Sequence, residues 1–262
     1  MRLRETAVSQ TEIEKLLNFF SGYTLAFLQE MQERYSDEES GLWKYYIGRI
    51  EVEQEGLTDY EAAIARYLTS NFDLSNHIVH AGIGVGTLTA ALFALGFTVT
   101  GIESNLPRFQ TAIRLQDRVT KAFKKTVGKY ELIHGLLPQA LDDYSASISG
   151  ANVMLFTNVV SGWSPELQKN IIGTFPRFGH VLIDLRLFGV TRDEQFARDE
   201  LLGWIGATRP VAIRRLVVPP SFRAMGTAYV ELTYAKEHKP LPESQPHDNL
   251  SQIKYLGATK LC

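Results

Sequence analysis

The chain has 262 residues, 45% of them hydrophobic and 21% charged, a composition that excludes extensive disorder and collagen-like or repeat-only architectures. Its net charge of −2 gives no global attraction toward nucleic acid. The single cysteine, Cys262, excludes an internal disulfide framework and a cysteine-rich zinc site, and it fits a reducing, cytoplasmic setting. Arginines near Met1 are followed by no apolar core, so no secretory peptide is expected. The length suits one large domain, or one domain with an extension.

The first seventy residues read as helical. Thr11 with Glu14 forms a capping-box signature, and Ile13, Leu16, Leu17, Phe20, Tyr23, Phe27, Leu28 and Met31 recur behind it at helical spacing. Leu42, Trp43, Tyr45, Tyr46 and Ile47 begin a second helical segment. Thr58 with Glu61 opens a third, through Ala62, Ile64, Tyr67 and Leu68. This extension, residues 1–72, is expected to pack beside the ligand edge of the following domain and to close an acceptor pocket.

From Ile78 to Ile102 there is no Asp, Glu, Lys or Arg, which is long enough for a membrane span. Five glycines break it, and it reads instead as strand, glycine turn, helix, turn and strand inside an α/β sheet. Strands are predicted at His77–Ala81, Thr98–Glu103, Tyr130–His134, Ala151–Thr157, His180–Leu187, Val211–Val218 and Thr227–Ala235. Helices are predicted at 87–95, 106–123, 137–145, 165–175 and 192–204, with caps readable at Ser164-Pro165 and at Thr191 with Glu194. No helix separates the last two strands, so they should pair antiparallel at one edge of an otherwise parallel sheet. The expected fold is therefore α/β, doubly wound and mostly parallel, with an antiparallel last strand and an N-terminal helical extension. Residues 73–236 form the sheet domain, and 237–262 a polar tail that docks again near Ile253–Leu256.

The most informative segment is His80-Ala81-Gly82-Ile83-Gly84-Val85-Gly86, a glycine turn between a strand and a helix. Glycines there allow sharp turns and close approach to a ligand, and the helix start offers free N–H groups. The spacing is G-x-G-x-G and departs from the dinucleotide pattern, because Thr87 and Thr89 take the last place. The next strand ends in Glu103, the only acid between Asp73 and Asp117, where a carboxylate can accept from both hydroxyls of a ribose. A strand-end acid of this kind is not expected to be a core contact.

On these residues the sequence resembles the class I S-adenosylmethionine-dependent methyltransferases over roughly residues 75–236. The resemblance implies a seven-stranded sheet with an antiparallel last strand, S-adenosylmethionine as cofactor, and transferase activity. It places Gly82, Gly84 and Gly86 against the methionyl and ribose part of the cofactor and Glu103, with Ser104 beside it, at the ribose. Thr157 and Asn158, ending the fourth strand, would border the transferred methyl. Two positions depart from the family pattern. His80 stands where an acid is usual, and as a neutral imidazole it would accept from the cofactor's ammonium. Gly135 is followed by Leu136 where an acid usually contacts adenine. The Asn/Asp-Pro-Pro-aromatic signature of nucleobase and glutamine methylation is absent after the fourth strand. The expected acceptor is therefore a small molecule, with neither nucleic acid nor membrane as partner.

His134, at a strand end, is a candidate general base, the plainer reading being a histidine hydrogen-bonded to backbone. With His80 and Asp184 it matches no metal spacing, and no metal is expected. The basic run Arg114, Arg118, Lys121, Lys124, Lys125 and Lys129 reads as a solvated helix face before an RNA patch. Trp43, Tyr45 and Tyr46 are candidates for an aromatic lid or for core packing, and Trp163 for lining the pocket. Two other readings fit the same residues. One is aminocarboxypropyl transfer from S-adenosylmethionine, as in nicotianamine-like synthases, and the other is a non-catalytic binding protein on the same fold.

Overall fold

The first helix, α1 (Gln10–Tyr35), follows its apolar stripe. Ile13, Leu17, Phe20, Phe27, Leu28 and Met31 are buried, with Leu16 and Tyr23 packed partly buried beside them. The computed structural model describes residues 10–35, 46, 49–124, 128–157, 164–184, 203–217, 228–235 and 254–260. Trp43, Tyr45, Asn158, Trp163, the Thr191–Glu194 box and all but the end of the predicted helix 192–204 lie outside the described residues. Thr11 does not cap α1, because it is already helical, and Glu14 is drawn away to Arg66 at 2.7 and 2.9 Å. The second box does form. Thr58 caps α2 (Asp59–Asn71), its hydroxyl accepting from Glu61 N while the Glu61 carboxylate accepts from Thr58 N.

The sheet then runs as β1 (His77–Ala81), α3 (Thr87–Leu95), β2 (Thr98–Glu103), α4 (Leu106–Ala122), β3 (Tyr130–His134) and α5 (Gln139–Asp143). It continues through β4 (Val153–Phe156), α6 (Pro165–Gly173), β5 (His180–Asp184), β6 (Ala212–Val217), β7 (Ala228–Thr233) and β8 (Lys254–Lys260). The strand order is β3-β2-β1-β4-β5-β7-β6-β8. Every described pairing is parallel except those of β7, which lies antiparallel between β5 and β6. The seven expected strands are present. The eighth adds to the β6 edge in parallel, from a tail whose polar composition concealed all but its first residues.

Alternate strand residues enter two cores. Ile78, Val99, Val153, Leu155 and Leu182 face α3, α4 and the extension, whereas Val79, Ile102, Met154, Phe156, Val181 and Ile183 face α5 and α6. The extension shares the first core outright: Phe20, Phe27, Leu28, Ile64 and Leu68 belong to the same cluster as Leu88, Leu92 and Leu115. The basic face of α4 is partly spent on this packing. Arg118 pairs with Glu30 of α1 at 2.5 Å, and Arg114 reaches the Met31 sulfur at 3.9 Å.

Candidate functional site

The strand order reverses between β1 and β4, and the glycine turn lies at the carboxyl end of β1, at that reversal. Gly82, Gly84 and Gly86 have φ of 69°, 60° and 83°, left-handed values that favour glycine. Gly82 N and Ile83 N both donate to Ile102 O, at 2.8 and 3.2 Å, tying the turn to β2. Gly86 then caps α3 without a side-chain partner.

Glu103 is the electrostatic centre. Its carboxylate is 5% exposed and accepts from Gly84 N at 2.7 Å and from Asn105 N at 2.8 Å. It thus braces both the glycine turn and the start of α4, which Asn105 caps by accepting from Arg108 N at 3.1 Å. The expectation that this acid makes no core contact is corrected, because the turn's own amides require it. A carboxylate has about four acceptor positions, so each oxygen keeps capacity for a further donor.

His80 is 1% exposed, and both ring nitrogens are engaged, Nδ1 with Thr89 Oγ1 at 2.8 Å and Nε2 with Thr157 Oγ1 at 2.6 Å. Burial pushes its imidazole down to about 3, so the ring is neutral. It clamps α3 to the end of β4 rather than offering a nitrogen to a ligand's ammonium. Thr157, buried, is positioned through this bridge.

His134 pairs in register with Glu103 but is exposed, donates from Nε2 to Ser104 O at 3.1 Å, and packs on Phe109 with ring centroids 5.2 Å apart. β3 and β4 are three strands apart, roughly 14 Å. His134 and Thr157 therefore do not meet, and the plainer reading of a backbone-bonded histidine describes what is seen. Gly135 N donates to Glu103 O at 3.1 Å. Leu136, 65% exposed, stands just beyond β3, and Leu106, 48% exposed, opens α4.

Two residues of the extension reach the turn, and neither was foreseen in that role. The Tyr46 hydroxyl accepts from Val85 N at 3.0 Å, and a Cβ on Gly84 would collide with it. Glu61 Oε1 accepts from Thr87 Oγ1 at 2.7 Å, at the first residue of α3. Its Oε2 takes Arg49 Nη2 at 2.9 Å and Thr58 N at 2.9 Å. Arg49, 1% exposed, also donates to Gly56 O at 2.6 Å and lies over the Tyr46 ring at 5.9 Å. Among the described residues no helix is long and apolar enough to cross a membrane, and no metal-ligating group of three side chains occurs.

No protein family and no curated protein matches the sequence. Solved structures do match the fold. The magnesium protoporphyrin IX methyltransferase ChlM of Synechocystis PCC 6803 superposes with a TM-score of 0.50 at 14% identity, over 88% of this chain and 100% of its own. The methyltransferase domain of a bacterial Hen1, CtHen1-C, gives 0.51 at 14% identity, over 67% and 97%. The chain has the class I S-adenosylmethionine-dependent methyltransferase fold. The antiparallel β7 between β5 and β6 belongs to that fold.

Proposed function

We propose that the chain binds S-adenosylmethionine at the carboxyl ends of β1, β2 and β4 and transfers its methyl group to a small molecule. The carrying observation is Glu103, held rigidly by the Gly84 and Asn105 amides with acceptor capacity left on both oxygens. A ribose diol supplies the two O–H donors that such a carboxylate takes. Leu106, opening α4 after β2, and Leu136, just past β3, are both exposed and offer apolar cover for a planar base in place of the usual acid. The ChlM neighbour was solved with S-adenosylmethionine bound, which supports the same ligand here.

S-adenosylmethionine brings a methyl group already activated by its sulfonium. The chain's part is then positioning, which aligns acceptor and methyl in line. Glu103 fixes the ribose end. Thr157, held by His80, borders the transferred methyl. The absence of the Asn/Asp-Pro-Pro-aromatic signature after β4 favours a small-molecule acceptor over a nucleobase.

Calorimetric titration with S-adenosylhomocysteine tests the reading. The wild type should bind, and Glu103→Ala should bind about ten- to a hundredfold more weakly. Equal affinity in the two would overturn the ribose clamp. Once turnover is found, the product discriminates: S-adenosylhomocysteine reports methyl transfer, and methylthioadenosine reports aminocarboxypropyl transfer.

A further inference from the structure

The open side of the glycine turn is where a ligand's backbone-hugging end would lie, and the protein fills it with its own side chain. Tyr46 is buried, and its hydroxyl oxygen accepts from Val85 N at 3.0 Å. A Cβ built on Gly84 would meet that hydroxyl, so the same oxygen covers Gly84. Burial raises the phenol above its usual value, which keeps the hydroxyl protonated and neutral. A second observation lies alongside. Arg108, in the first turn of α4, is close enough to Tyr46 to act on it electrostatically, and its Nε is buried without a hydrogen-bond partner. A buried guanidinium N–H without an acceptor is costly, and it fits a negatively charged partner.

We propose that the Tyr46 hydroxyl stands in for a carboxylate oxygen of the ligand's amino-acid end. Tyr46 and that carboxylate compete for the Val85 amide, and the departure of Tyr46 opens the turn to the ligand beside Arg108. The proposal rests on the adenosyl reading given above and adds a residue that sets affinity for one end of the ligand. The tyrosine comes from the extension, where Arg49 lies over its ring and Glu61 holds Arg49. Displacing it therefore pulls on the contacts that fasten the extension to α3.

The apparent affinity of a site that must first open is reduced by its open fraction. One competing hydrogen bond of ordinary net strength lowers it about fivefold. Tyr46→Phe removes the oxygen and keeps the ring that packs in the core. Tyr46→Ala removes both. Association rates and affinities are measured by stopped flow and calorimetry for S-adenosylhomocysteine and for 5′-methylthioadenosine, which has no amino-acid end. Tyr46→Phe should bind S-adenosylhomocysteine about fivefold more tightly than the wild type and associate faster, with methylthioadenosine unchanged. In the ligand-free protein the Val85 amide should exchange its hydrogen about fivefold faster in Tyr46→Phe than in the wild type. Unchanged or weaker S-adenosylhomocysteine binding by Tyr46→Phe overturns the competition and leaves the adenosyl reading standing. An equal gain for methylthioadenosine overturns the assignment to the amino-acid end. Unchanged exchange at Val85 shows that the contact does no work in solution and also overturns it. If the wild type and both variants all fail to bind S-adenosylhomocysteine, the adenosyl reading itself falls, and this proposal with it.

Discussion

Glu103 does two jobs that a substitution can separate. Its oxygens brace the Gly84 and Asn105 amides before any ligand arrives. Glu103→Ala should therefore lower the stability of the ligand-free protein by about 1.5–3 kcal/mol, since a buried amide loses a charged acceptor. Glu103→Gln, which keeps one acceptor oxygen, should lose less, and urea unfolding without ligand measures both. His80 gives a pH signature of its own. Its imidazole lies at about 3 in the folded protein, against an ordinary value of about 6.5 when exposed. Protonation thus favours the unfolded chain. The associated stability is complete above about pH 6.5 and is lost as pH falls toward 3, at about 1.4 kcal/mol per unit. Urea midpoints taken from pH 6.5 to 4 should fall with that extra slope in the wild type and lose it in His80→Gln. An identical slope in the variant would show that His80 is not the group titrating. Glu103 was legible in the sequence because an acid alone in a long uncharged stretch stands out. The partners of His80 were not, since Thr157 is distant in the chain and the hydroxyls of Thr89 and Thr157 carry no periodic signal.

The elements show where sequence patterns suffice. β1, β2, β3 and α3 fall on their predicted bounds, because glycines at Gly82, Gly86 and Gly96 and a change from alternating to helical spacing punctuate them. The α2 cap was equally readable from Thr58 and Glu61. Hidden from a local reading was the second use of Glu61, whose other oxygen serves Thr87 at the start of α3 while Arg49 neutralises it. Glu61→Ala would take the carboxylate away from a fully buried guanidinium. It should cost about 3–5 kcal/mol, the range for breaking a buried ion pair by removing one partner. A loss below 1 kcal/mol in urea unfolding, as expected of an exposed pair, would show that Arg49 reaches water. The Arg66–Glu14 pair ties α1 to α2 within the extension and the Arg118–Glu30 pair joins it to α4, but both are partly exposed and should each count for little.

At the scale of the whole molecule, the sheet ends on β8, and β6 depends on it for its outer hydrogen bonds. Deleting residues 254–260 would leave β6 an open edge, and such edges pair with other chains. The truncated protein should elute as larger species in size-exclusion chromatography, whereas a monomeric truncation would show that β8 is dispensable. The extension is no more separable. Phe20, Phe27, Leu28, Ile64 and Leu68 are almost wholly buried in the core shared with α3. A chain starting at residue 71 should fail to fold, because the apolar burial lost exceeds the few kcal/mol by which domains are stable. A soluble 71–262 fragment with a cooperative thermal transition would refute this.

The carboxylate of Glu61 also bears on how this chain can be recombined. Exchanging N-terminal segments between proteins of one fold assumes that the junction is a surface of apolar contact, tolerant of approximate fit. Here the junction runs through a charge: Arg49 and Glu61 lie on one side and Thr87 on the other, with Tyr46 hydrogen-bonded to Val85 a few residues along. A foreign extension without an acid at this place would leave the Thr87 hydroxyl without its acceptor, and a foreign sheet domain without that hydroxyl would leave the carboxylate short of a donor. Functional hybrids should therefore be confined to those that carry Arg49, Glu61 and Thr87 as one inherited set, so that the permissible crossover points lie after α3 rather than at the apparent boundary before β1.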